Sequence, residues 1–197
     1  FLVKKLLKNH KKFDLIFSAN TITHISNYNS VFSNIYKILD DTGTVIIEEP
    51  SLLETIKKNS YDQFYNEHIY VFSALAVENI LKKFDLEIFD IKNLKIHGGS
   101  LRYFIKRKKN KKFKVKNTVT KQLKAEISFG LKKYSTYKRF SVKSSKSKKD
   151  LLKLIKKLKT NNNIIGYGAT AKAVTVLNYC KINENLIDAF VDTTLDK

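Results

Sequence analysis

Phe13-Asp14-Leu15-Ile16-Phe17-Ser18 (FDLIFS) and Thr44-Val45-Ile46-Ile47-Glu48 (TVIIE), with the helical stretch Tyr28–Leu39 between them, decide the fold. Each run is short, apolar and rich in strand formers, as a buried strand of a parallel sheet reads. Tyr28–Leu39 lines up Val31, Ile35, Ile38 and Leu39 on one helical face. Asp40-Asp41-Thr42-Gly43 supplies turn chemistry before the second run, and Pro50, the only proline, closes it. The order strand, helix, strand predicts an α/β fold.

The pattern continues downstream. Ser73 is an N-cap candidate for a helix Ala74–Phe84 that carries Val77, Ile80, Leu81 and Phe84 at helical spacing. Strands follow near Leu86–Ile91 and Leu101–Lys106, separated by His97-Gly98-Gly99-Ser100. A Gly-Gly pair permits positive φ and close approach of another group, although an ordinary turn has the same look. Asn117–Phe140 reads as one long helix, Ser141–Lys149 as a polar basic break and Asp150–Lys159 as a second helix. Ile164-Ile165 then leads into Gly166-Tyr167-Gly168-Ala169-Thr170-Ala171 and the helix Lys172–Tyr179. Leu186–Val191 is a last strand ending at Asp192.

Composition narrows the function classes. With 197 residues and 43% hydrophobic content the chain can bury one good core or a little more. No apolar run approaches the ~18 residues of a membrane span, and Phe1–Leu7 is too short and too charged for a signal peptide. Cys180 is the only cysteine, which excludes an internal disulfide and a cysteine-rich metal site and fits a cytoplasmic setting. The net charge of +20 raises nucleic-acid binding. Lysine far outnumbers arginine, however, and is spread along the whole chain. Base readers favour the planar fork of arginine, so no nucleic-acid partner and no membrane partner is expected. Methionine is absent and residue 1 is Phe, so the chain is expected to be a fragment.

Two stretches carry chemistry. Tyr65-Asn66-Glu67-His68 gathers a phenol, a carboxylate and an imidazole in four residues. Imidazole alone has an unperturbed pKa near neutrality, so His68 can take and return a proton at cellular pH. An isolated Glu-His pair is commonly a solvated loop, so the context must decide. The second stretch is Gly166-x-Gly168-x-x-Ala171 between a strand and a helix, a form of the dinucleotide fingerprint. Glycines there let the backbone approach a diphosphate, the helix N-terminus offers free N–H groups, Lys172 adds a charge, and Asp192 stands where a ribose-binding acid would. A structural tight turn is the competing explanation.

In their order and spacing, FDLIFSANTITHI (13–25), GTVIIEEP (43–50), YDQFYNEHIYVFS (61–73), HGGSLR (97–102) and IGYGATAKAVTVLNYC (165–180) resemble a family of S-adenosylmethionine-dependent sugar C-methyltransferases. Members of that family have an N-terminal zinc-binding domain, a central Rossmann-like methyltransferase domain and a C-terminal Rossmann-like domain. The resemblance implies the C-terminal part of the methyltransferase sheet over residues 1–108, a helical connector over 109–160 and the start of a nucleotide-binding Rossmann-like domain over 161–197. Zinc is implied only for a domain outside this chain.

The resemblance also implies roles. Ala19 and Asn20 would lie near the S-adenosylmethionine site, with His24 on the segment that follows. Tyr65, Glu67 and His68 match a catalytic loop. His97, Gly98, Gly99, Ser100 and Arg102 match a motif of the substrate cleft. Gly166, Tyr167, Gly168, Ala169, Lys172 and Asn178 match a motif that helps bind the nucleotide of a nucleotide sugar. The reaction implied is enolate formation beside a ketone, followed by transfer of a methyl group to that carbon. A nucleotide- or NAD-binding Rossmann enzyme and an inactive methyltransferase remnant are the alternatives.

Overall fold

A computed structural model describes residue 6 and residues 12–194 of the protein. The chain divides into two compact units. One holds residues 12–58 with Glu67–Lys132, and the other holds Asn59–Asn66 with residues 133–194.

The first unit is a four-stranded sheet with helices. Its strands are β1 (Phe13–Ala19), β2 (Leu39–Pro50), β3 (Leu86–Leu94) and β4 (Ser100–Arg107), in the order β1-β2-β4-β3. β1 and β2 are parallel, while β4 runs antiparallel to both β2 and β3. The first three strands therefore share one direction and β4 alone opposes them. This is the mixed α/β architecture that the alternating strand and helix patterns predict.

Helices α1 (Tyr28–Ile38), α2 (Leu52–Lys57), α3 (Ala74–Lys82) and α4 (Asn117–Phe129) complete this unit. Asn27, Ser51 and Ser73 each cap the helix that follows, accepting from the amides of Ser30, Glu54 and Ala76. Such a cap stabilises a helix by about 1 kcal/mol. Phe32 and Ile35 of α1, Val77 and Leu81 of α3 and Val119 of α4 pack on Val45, Ile47, Leu101, Tyr103 and Ile105 of the sheet. Each fully buried side chain of this kind stabilises by roughly 1.5–3 kcal/mol.

Three local expectations change. β1 is not buried on both faces: Ile16 packs on the core, but Leu15 and Phe17 are 58% and 60% exposed. Among the described residues, the helices that pack on β1 cover the Ile16 face only. Asp40–Gly43 falls within β2, where the register jumps from Phe13 against Leu39 to Leu15 against Thr44, so the turn residues form an irregularity inside the strand. The third change concerns the helices. α4 stops at Gly130, whose φ of 90° ends it, and α5 (Tyr134–Lys159) then runs unbroken through Ser141–Lys149. Lysine and serine are tolerable in a helix, and a left-handed glycine is a stronger stop than a basic run.

The second unit contains α5, β5 (Ile165–Tyr167), α6 (Ala171–Cys180) and β6 (Ala189–Val191), with β5 parallel to β6. Ile155 of α5, Cys180 of α6 and Ile182 form its core, with Leu151, Leu177 and Ile187 around them. Among the described residues no helix is long and apolar enough to cross a membrane.

Candidate active site

The chain leaves β1 at Ala19 and turns at once. Asn20 takes a φ of +48°, a left-handed conformation that asparagine tolerates better than most residues. Its N–H still donates to the Glu48 carbonyl at 2.9 Å, so the turn begins one step beyond the ladder between β1 and β2. The Thr21 hydroxyl donates to the Ala19 carbonyl at 2.9 Å, and a 3-10 turn covers Ile22–His24. One carboxylate fixes this segment. Glu49 Oε1 accepts from the N–H of Ile22 at 2.8 Å and of Thr21 at 3.2 Å. Burial pushes the Glu49 carboxyl above the usual carboxylate range, and these amide hydrogen bonds oppose the shift.

His68 meets this turn. The rings of His24 and His68 lie edge to face, with centroids 5.1 Å apart and planes at 69°. Both are half-buried. The Tyr70 N–H donates to the Thr23 carbonyl at 3.2 Å, and the Tyr70 hydroxyl donates to the Ser26 carbonyl at 2.8 Å. Two segments far apart in sequence thus present two imidazoles at one spot beside the C-terminal end of β1. Glu67 is exposed next to them in the chain.

His97 reaches the same end of the sheet. Its Nε2 lies 3.3 Å from Asn20 Nδ2. His97 has a φ of +50°, Gly98 of +79° and Gly99 of +123°. A Cβ on Gly99 would stand 2.8 Å from the Cβ and Cγ of Glu54, so glycine is needed both for conformation and for close approach to α2. Lys58 Nζ donates to the Gly98 carbonyl, Ser51 N–H to the Gly99 carbonyl at 3.0 Å, and Ser100 Oγ to the Ile96 carbonyl at 3.2 Å. Arg102 pairs through Nε with the buried carboxylate of Glu48, its register partner across β2 and β4. Gly99 and Ser100 therefore hold the loop that carries His97, which meets Asn20, while His24 meets His68 on the turn that follows β1.

Glu48 and Glu49 were not singled out from the sequence. The signal was there, in two carboxylates ending the otherwise apolar run TVIIEEP. Acidic residues of that kind are almost never buried without partners.

The remaining expected site residues lie in the second unit. Gly166 belongs to β5, where a Cβ would stand 2.1 Å from the Phe190 ring, so its smallness serves strand packing. Gly168 has a φ of +95° with nothing within 4 Å of a would-be Cβ, which leaves the space beside its Cα open. The Gly168 N–H donates to the Val191 carbonyl at 2.8 Å. The Asp192 carboxylate accepts from the N–H of Ala169 at 2.7 Å and of Thr194 at 2.8 Å. The residue expected as a ribose acid thus ties the glycine loop to the end of β6. Thr170 caps α6 by accepting from Ala173 N–H at 3.2 Å. Lys172 stands in the first turn and Asn178 in the last. Tyr167 is 77% exposed. Tyr65 belongs to this unit too, and lines a cavity with Asn178.

Residues 95–197, more than half of the chain, match the family model described as the C-methyltransferase C-terminal domain. The chain belongs to the C-methyltransferase family. Residues 1–91 match a methyltransferase domain model. The curated relative NovU of Streptomyces niveus, a C-methyltransferase, is 24% identical over 195 residues, which are 98% of this chain and 46% of NovU. This C-methyltransferase family chain thus spans about half the length of that relative. Among solved structures, the magnesium protoporphyrin IX methyltransferase of Synechocystis PCC 6803 with bound SAH is 16% identical, with 49% of this chain and 46% of that one covered and a TM-score of 0.39. The M1.HpyAVI–SAM complex is 12% identical, with 56% and 52% covered and a TM-score of 0.36.

Proposed function

We propose that this chain carries the proton-handling part of an S-adenosylmethionine-dependent C-methyltransferase acting on a nucleotide-linked keto sugar. The observation that carries the reading is the edge contact of His24 and His68 beside Asn20 and His97, at the C-terminal end of parallel β1. Ligands of open α/β sheets bind in the crevice outside the carboxyl ends of the strands. Membership in a C-methyltransferase family supplies the reaction class.

Ala19 and Asn20 would hold part of S-adenosylmethionine. The half-buried Asn20 amide, whose Nδ2 lies 3.3 Å from His97 Nε2, offers the donor and acceptor that such a polar group requires. When bound, S-adenosylmethionine supplies an electrophilic methyl group. Carbon becomes a nucleophile only as an enolate, so the protein must first remove a proton beside a ketone. His68 takes that proton as general base. His24 packs its ring against His68 and limits its orientations. Glu67, the preceding residue, orients the base or accepts from a sugar hydroxyl. The Tyr65 phenol would donate a hydrogen bond to the oxygen on which negative charge develops. His97 with Gly98 would contact the sugar, on the loop that Gly99 and Ser100 hold. Gly166, Tyr167, Gly168, Ala169, Lys172 and Asn178 would serve the nucleotide, with Gly168 giving room beside its Cα and Lys172 the charge. Zinc stays with the further domain that the resemblance implies.

Exchange of the carbon-bound proton with solvent deuterium, followed by NMR on nucleotide-linked keto sugars, isolates the proposed step. General-base catalysis typically contributes about 10²–10⁴-fold, so His68→Ala should lose exchange by that factor. Equal exchange in the variant would sink the assignment. No exchange in the wild type would favour an inactive remnant. The dinucleotide alternative is weakened by Asp192, whose carboxylate already takes two backbone amides.

A further inference from the structure

Val45, Ile47 and Glu49 alternate along β2, so they share one face of the sheet, and all three are buried. Val45 and Ile47 belong to the hydrophobic core. Leu101, the register partner of Glu49 on β4, belongs to it too. An apolar side chain at position 49 would continue this pattern. A carboxylate there is costly unless hydrogen bonds compensate it. Those of Glu49 run to the turn after β1, through the amides of Thr21 and Ile22. Burial raises its pKa, and the groups that oppose the rise belong to Ile22, Thr21 and Thr23. The carboxylate therefore serves the turn rather than the strand on which it stands.

The turn needs such an anchor. It spans only Ile22–His24, and a helical turn of that length leaves its first amides without partners of its own. The Thr21 hydroxyl points back to the Ala19 carbonyl and does not cap it. Glu49 supplies the missing acceptor. From there a short series of contacts reaches the imidazoles. Glu49 accepts from the Thr21 N–H, and the Thr21 carbonyl accepts from the His24 N–H at 3.1 Å. The His24 ring then meets His68 edge to face. Displacing the turn displaces the ring on which His68 rests.

We infer that Glu49 is a positioning residue for the proton-transfer step, fixing through the Thr21–His24 turn the ring against which His68 is oriented. The inference rests on the reading of His68 as general base. It gives Glu49 no contact with the substrate or the methyl donor.

Two readouts on this chain test it. One is the NOE between ring protons of His24 and His68. The other is exchange of the carbon-bound proton of a nucleotide-linked keto sugar with solvent deuterium, followed over a range of sugar concentrations. Glu49→Leu keeps a buried side chain but removes the acceptor. It should lose the NOE and lower the saturating exchange rate about 10²-fold, the loss that a displacement of about 1 Å can cause, with the half-saturating concentration unchanged. Glu49→Gln keeps an acceptor and should restore both. Glu49→Asp, one methylene shorter, covers the case in which Glu49→Leu fails to fold, and should lower the saturating rate in the same manner. Val77→Ala, a core substitution in α3, should lose stability yet keep the NOE and the saturating rate. An intact NOE or a wild-type saturating rate in folded Glu49→Leu, or in Glu49→Asp where Glu49→Leu does not fold, would overturn the inference and leave His68 as the base. A loss that Glu49→Gln does not restore, or that Val77→Ala shares, would overturn it as well. No exchange in the wild type would overturn both the inference and the reading on which it rests.

Discussion

Glu49 combines burial, a raised pKa and a position one residue from the strand end, and its protonation bears directly on the turn that carries His24. Its carboxyl is 1% exposed and accepts two backbone amides. Because burial raises its pKa, the folded state holds the proton more tightly than the unfolded chain does. The stability this provides is complete below the unfolded value of about 4.3 and is lost as pH rises through the folded value. Glu49→Gln keeps an acceptor for Thr21 and Ile22 but cannot ionise. Denaturant midpoints measured from pH 4 upward should fall for the wild type relative to Glu49→Gln across that window. Parallel curves would mean that the carboxyl is not perturbed. At this scale the sequence was partly legible. The imidazole of His68 stands out by its chemistry alone, but its neighbour His24 lies 44 positions away, and tertiary contacts bring the segments together, among them the Tyr70–Thr23 and Tyr70–Ser26 hydrogen bonds and the Tyr28–Tyr70 ring contact.

Among the elements, α3 depends on a residue that no local pattern identifies. Its first amides, of Ala74 and Leu75, donate to the two carboxylate oxygens of Glu126 at 2.8 and 2.9 Å. Glu126 is fully buried on α4, and Gln122 donates to it at 3.1 Å. A carboxylate at a helix N-terminus satisfies orphan N–H groups and meets the positive end of the dipole. Hydrogen bonds to a charged group contribute about 1.5–3 kcal/mol each, so Glu126→Ala should destabilise the fold by about 3 kcal/mol, read as a lower urea midpoint. A change within 0.5 kcal/mol would contradict the capping role. Ser73, the cap readable from sequence, holds only the Ala76 amide. The helix boundaries near residues 130–150 depart from the sequence pattern. Polar composition over Ser141–Lys149 suggests a break, yet the chain turns where Gly130 can adopt a left-handed φ.

At the scale of the whole molecule, charge is the dominant property. A net charge of +20 attracts any polyanion through counterion release, whatever the fold. Such binding to DNA should be weak and should vanish between about 50 and 200 mM salt in filter binding. Tight, sequence-dependent binding at 200 mM salt would overturn the expectation that no nucleic acid is a specific partner. The charge is unevenly used: much of the acidic complement is engaged internally, as in Glu48–Arg102, Asp90–Lys116 and Asp188–Lys159.

The sequence by itself determined the order of strands and helices, the apolar faces, the Ser73 cap and the two chemistry-bearing stretches, because periodicity, turn residues and ionisable groups are local properties. Tertiary structure alone decided that Glu48 and Glu49 become buried partners, that His24 meets His68 and Asn20 meets His97, and that Asp192 ties down the glycine loop. It also decided that aromatic rings from Tyr61–Phe64, α5 and α6 line an open cavity. Each of these joins positions far apart in the chain, and pairings of that kind follow from strand register and helix packing rather than from any window of sequence.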